Sequence, residues 1–100
     1  MGSKTSFVDF AAEQIAGAGT IRTKAMFGEF GFYCDDIFCG AICDNTLFVK
    51  ATDAGRELAP DIALAPAYKG AKPSLKIPEE RLEDAEWLSQ LVAATRDALA

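Results

Sequence analysis

Three thiols stand close together in the chain, at Cys34, Cys39 and Cys43. Thiolates grouped in this way would suit zinc or an iron–sulfur cluster. The spacing argues otherwise. If Asp35-Asp36 is a two-residue turn, Cys34 pairs with Ile37 and Phe32 with Cys39, which strings all three sulfurs along one sheet face. Cys39 and Cys43 would then lie roughly 13 Å apart, too far for one metal. The sequence contains no histidine, so a fourth ligand would have to be an acid. These residues read as reduced, structural thiols with no metal and no cofactor. The lack of histidine also removes the usual general base and the imidazole triads. No catalytic constellation remains, and the chain is expected not to be an enzyme.

The other charged groupings have plain roles available. Asp35-Asp36 occupies a turn, where Asp is favoured because its side chain bonds the nearby backbone. Glu79, Glu80, Glu83, Asp84 and Glu86 precede or open the last helix, where negative charge complements the helix dipole. Lys69, Lys72 and Lys76 lie in an acid-free stretch from Pro66 to Pro78, read as a solvated loop. Its functional alternative is a site for a small anionic ligand using Lys50, Lys69 or Lys72. Lys24 and Lys50 fall at opposite ends of the predicted sheet, so no continuous phosphate-binding stripe is implied. A net charge of −5 argues against direct nucleic-acid binding, which draws on cations set against phosphates. Gly28 and Gly31 form no phosphate loop, since no helix and no Lys-Ser/Thr follow them.

These groups must be positioned by one domain, residues 1–100, with half its residues apolar and a quarter charged, as in ordinary globular proteins. Val8, Ala11, Ala12 and Ile15 recur at helical spacing, which predicts a helix over 6–17 opened by Ser6 and Asp9. An aromatic, glycine-studded run from Met26 to Cys34 predicts the first strand. Ile37–Cys43 is the second and Leu47 to Lys50 or Ala51 the third, joined by the turns Asp35-Asp36 and Asp44-Asn45-Thr46. Thr52 or Asp53 caps a short helix ended by Pro60, in which Gly55 requires support from tertiary packing. Weaker strands around 63–68 and 74–77 precede a final helix from Asp84 carrying Leu88, Leu91, Val92, Thr95 and Leu99 on one face. The order is helix, three strands, helix, two strands, helix, an α+β fold with an antiparallel sheet. The odd cysteine count, and a start without the apolar run of a secretory signal, point to a cytoplasmic setting. No apolar run is long enough to span a membrane.

The run Met26-Phe27-Gly28-Glu29-Phe30-Gly31-Phe32-Tyr33, followed by a turn, an apolar strand and Leu47-Phe48-Val49-Lys50, resembles the N-terminal domain of the TfoX/Sxy family. The family pattern there is approximately Met-Phe-Gly-Gly-aromatic-Gly-apolar-Tyr and later Leu-aromatic-Leu-Lys. Pro78-Glu79-Glu80 and the closing amphipathic helix fit it as well, so the likeness covers about residues 7–100. Glu29 departs from the pattern, standing where a second Gly is usual. The stretch from Tyr68 to Pro78 is shorter than typical and lacks an aromatic pair before the Pro. The resemblance implies a two-layer α+β fold, bacterial origin and a link to competence regulation, in which full-length members act as transcription co-activators beside a DNA-binding regulator. Those members carry a second, C-terminal domain. This sequence stops after the first, so the competence role does not transfer directly.

The resemblance and the lack of catalytic groups together point to a small protein-interaction module with a regulatory role. The predicted pairing puts Phe30, Phe32, Cys34, Ile37, Cys39, Ala41, Cys43 and Phe48 on one sheet face. Phe27, Tyr33, Phe38, Ile42, Leu47 and Val49 fall on the other. A two-layer fold covers only one of these apolar faces. The other is expected to meet a protein partner or a second copy of the chain, with Phe30, Phe32, Phe48, Lys50, Lys69 and Lys72 as the interaction surface. Phe27 and Phe32 are expected to be structural.

Overall fold

Two pairs of small polar residues shape the centre of the sheet. Asp35 and Asp36 have φ of 51° and 67°, and Asp44 and Asn45 have φ of 52° and 53°. Two successive left-handed residues make the tight turn whose twist matches a hairpin, and Asp and Asn tolerate that conformation best after Gly. A computed structural model describes residues 3–26 and 28–100. Its elements are α1 (Thr5–Gln14), β1 (Ile21–Met26), β2 (Glu29–Cys34), β3 (Ile37–Cys43), β4 (Thr46–Lys50), α2 (Asp53–Leu58), β5 (Leu64–Pro66), β6 (Pro73–Lys76) and α3 (Ala85–Leu99), with 3₁₀ turns at Ala16–Ala18 and Glu79–Arg81. The strands form one antiparallel sheet in the order β1-β2-β3-β4-β6-β5.

The α+β class, the three helices and the antiparallel sheet are as the sequence predicts; the strand count is not. The predicted first strand is two strands, because Gly28, at φ 79°, turns the chain within the aromatic run. The missed strand, β1, is signalled by Ile21-Arg22-Thr23-Lys24, where side chains alternate between half-buried and exposed. Phe27 lies outside the described residues, as do Met1 and Gly2. The first helix begins one residue earlier than expected, after Lys4, and no side chain caps it, so Ser6 is not its cap. Of the two caps the sequence offers for α2, Thr52 is the one used, and Asp84, where the last helix is expected to begin, caps it. Thr52 Oγ1 accepts from Gly55 N at 3.0 Å, and Asp84 Oδ1 accepts from Trp87 N at 3.2 Å.

The core lies between the helices and one sheet face. Val8 and Ala11 from α1, Ile15 just after it, and Leu88, Leu91 and Val92 from α3 pack on Phe32, Cys34, Cys39, Ile42, Leu47, Val49 and Leu75. Gly55 lets α2 approach α3 closely, since a Cβ there would stand 3.1 Å from Thr95 Oγ1 and 3.4 Å from Leu91. This is the tertiary support that a glycine within a short helix requires.

Between β2 and β3 the register shifts. Tyr33 pairs with Phe38, but Phe32 pairs with Gly40 rather than with Cys39. Cys39 is thus the extra residue of a bulge. Because side chains alternate along a strand, one inserted residue exchanges the faces of everything beyond it. Ile42, Leu47 and Val49 therefore face the helices. Ala41, Cys43 and Phe48 face away, reversing the assignment made from an unbulged hairpin.

Candidate functional site on the outer sheet face

The face turned away from the helices has an apolar centre bordered by cations. One row across the sheet runs Lys24, Gly31, Ala41, Phe48, Lys76 by direct pairing. The next runs Arg22, Tyr33, Phe38 and ends beside Lys50. Each row has a base at either end. The Arg22 guanidinium sits 4.8 Å from the Tyr33 ring centroid, and Lys50 Nζ sits 4.9 Å from that of Phe38. The two rings meet edge to face at 5.3 Å. Such cation–π contacts keep the bases over the aromatic centre; Arg22 also pairs with Asp36 at 3.2 Å, an exposed contact, and no ion pair among the described residues uses Lys50. The result is a basic face on a protein whose net charge is −5.

The loop joining β5 and β6, with Gly70 left-handed at φ 88°, bends over this face. Together they enclose a cavity of about 660 Å³, floored by Met26, Phe38, Ala41 and Cys43 and bordered by Lys50, Lys69 and Lys72. Glu29 closes the opposite strand end, where its carboxylate accepts from Ser3 N at 2.9 Å and Asp44 N at 2.8 Å. Burial, the largest influence, pushes the Glu29 pKa up. The hydrogen bonds from Asp44 and Ser3 together outweigh it and hold the group below its ordinary value.

The sequence-assigned surface divides between the two faces. Phe32 is fully buried under the helices, while Phe30 packs at the edge of the same core and also lines the cavity. Phe48 faces outward but is 6% exposed. Lys50, Lys69 and Lys72 do come together, around one cavity. Arg22, Lys24, Tyr33 and Phe38 were not assigned to the surface. The cations two residues apart in β1 were the available signal, hidden because that strand was not recognised.

The thiols divide in the same way. Cys34 and Cys39 lie in the core and Cys43 under the outer face. The bulge thus removes Cys43 from the face on which the sequence placed all three. Burial raises the pKa of each, so little thiolate forms at neutral pH. Among the described residues no group of three or more Cys, Asp or Glu is arranged to hold a metal. A thiol-reactive disulfide reagent added to the native protein should modify Cys43 slowly and leave Cys34 and Cys39 intact until unfolding. Peptide mass spectrometry reads the sites, and rapid modification of Cys34 or Cys39 would contradict their placement.

Asp35 is committed to structure as well. Its Oδ1 accepts from Thr20 N at 2.9 Å and its Oδ2 pairs with Arg96 Nη1 at 2.8 Å, tying the β2–β3 turn to the last helix. The Thr20 hydrogen bond lowers its pKa most; desolvation pushes the other way, and the Arg96 contact adds to the lowering. The acidic run behaves as a helix entry, with Glu79 and Glu80 in the 3₁₀ turn, Asp84 as the cap and Glu86 in the first turn of α3.

A model of the TfoX N-terminal domain matches residues 13–99. The chain belongs to that family. It is also 32% identical over 99 residues to an uncharacterised 12.7 kDa protein from the trpE 5′ region of Spirochaeta aurantia, a match covering 99% of this chain and 85% of the relative. The family's aromatic–glycine run now has a structural reading in this TfoX N-terminal domain. Gly28 turns the β1–β2 hairpin, while a Cβ at Gly31 would stand 2.7 Å from the Phe38 ring and 2.8 Å from the Met26 methyl. Among the described residues, no helix is long and apolar enough to cross a membrane.

Proposed function

We propose that this domain is a regulatory interaction module without catalytic activity, and that its partner is a protein presenting an acidic segment studded with apolar side chains. The observation that carries this reading is the outer sheet face, where Tyr33 and Phe38 lie half-exposed between Arg22 and Lys24 on one side and Lys50 on the other. Membership of the TfoX N-terminal family supports the regulatory setting. The excess of cations on this face also bears on the choice of partner. Two copies meeting through this face would bring like charges together, which costs several kcal/mol when they are closely juxtaposed. An acidic partner gains from the same charges, chiefly through faster and more selective association.

The test compares the immobilised domain with an Arg22→Glu, Lys24→Glu variant in cytosolic extract, with sedimentation equilibrium of the free domain alongside. Acidic proteins should be retained by the wild type, released by moderate salt and lost from the variant. A strict monomer at about 100 μM that retains no protein would contradict the reading, since the face would then have no occupant. So would retention of nucleic acid in place of protein.

A further inference from the structure

We propose that the cavity beneath the β5–β6 loop binds a small amphipathic carboxylate, its apolar body along β3 and its charged head among Lys50, Lys69 and Lys72. This goes beyond the protein-partner reading and does not depend on it. The volume, about 660 Å³, falls within the range of small-molecule sites. The floor is apolar, with the Met26 thioether, the Phe38 ring and the Ala41 methyl, and Ala67 and Ala71 come down from the loop. A sugar or nucleotide would find few fixed donors on that floor. An acyl or aryl group would find a surface that gains from its burial.

Charge gives the cavity a direction. Lys50 ends β4 opposite Ser74, while Glu29 stands at the other strand end, near Cys43. The four steps of β4 from Thr46 to Lys50 separate these ends by roughly 13 Å. None of the ion pairs among the described residues uses Lys50, Lys69 or Lys72. Their charges are thus available to an anion. Glu29, held ionised by the Ser3 and Asp44 amides, would repel the head group from its own end of the cavity. A carboxylate with an apolar tail meets both conditions; a symmetrical dianion meets only one.

The experiment titrates the isotopically labelled domain with hexanoate, octanoate and decanoate, all below micelle formation, and with 1-decanol as the neutral control. Affinity should rise about fourfold per added methylene, as burial of each CH₂ implies. Amide shifts should concentrate at Phe38, Ala41, Cys43 and Ala71. Decanol, and decanoate against a Lys50→Gln, Lys72→Gln variant, should each bind about tenfold more weakly through loss of the charged contact. The proposal is overturned by an absence of saturable binding across the series, by equal affinity for decanol and decanoate, or by shifts confined to the helices. Those failures leave the protein-partner reading intact, because it is read through Arg22 and Lys24, which do not line the cavity.

Discussion

Replacing Phe32 with Ala should lower the unfolding free energy by about 3–5 kcal/mol, among the largest losses available to any single side chain in the domain. The ring is fully buried. It lies on the second strand of the sheet, among side chains from β3, β4 and α3. Removing it leaves a void that the sheet cannot close without moving α3. Equilibrium denaturation in urea reads the loss as a lower midpoint at unchanged slope. A variant as stable as the wild type would mean that Phe32 is not in the core, and that the assignment of the two sheet faces is wrong.

A comparable loss is expected from Gly40→Val, for the opposite reason. Any Cβ at Gly40 would run into the Phe48 carbonyl oxygen, and would stand 2.5 Å from the Phe32 ring. The ring could rotate; the carbonyl belongs to the neighbouring strand and cannot move without breaking the β3–β4 pairing. Overpacking ordinarily costs about 1–3 kcal/mol, and the backbone clash places this substitution at or above the top of that range. Gly40→Ala should show the same defect with less bulk. Thermal melts of both variants should fall in the order wild type, Ala, Val. A melting temperature unchanged in Gly40→Ala would show that the bulge is not where Cys39 places it.

That bulge marks the boundary of what the sequence made legible. The starts of α2 and α3 are legible at Thr52 or Asp53 and at Asp84, and the two tight turns at Asp35-Asp36 and Asp44-Asn45-Thr46, because capping and turn chemistry are local. The β2–β3 register was beyond local reading. Cys34 opposite Ile37 is correct, yet nothing in Ile37-Phe38-Cys39-Gly40-Ala41 announces an unpaired residue except the glycine. Gly40 is required by the approach of Phe48 and Phe32, two residues remote in sequence. One extra residue then exchanged the faces of Ala41, Ile42 and Cys43, and with them those of Leu47, Phe48 and Val49.

The candidate site was legible in parts. Lys50, Lys69 and Lys72 border one cavity; Lys69 and Lys72 stand out by composition in the acid-free stretch between Pro66 and Pro78, whereas Lys50 joins them only through the fold. Their apolar floor is not legible in the sequence, because an unbulged hairpin puts Ala41 and Cys43 on the opposite face from Phe38. The basic border at Arg22 and Lys24 was hidden with the strand that carries it. The sequence allows Phe32 two roles, structural and interacting, and its burial leaves only the first.

The central claim is that the sheet face opposite the helices is the one that meets a partner. Site-specific photocrosslinking tests it most directly, with a benzophenone amino acid replacing Phe38 on the outer face or Phe10 on the exposed side of α1. Irradiated in cells, the probe at Phe38 should give a discrete protein adduct that disappears when Arg22 and Lys24 are changed to Glu, while the probe at Phe10 gives none. An adduct from Phe10 alone, or one from Phe38 that survives the charge reversal, would contradict the account.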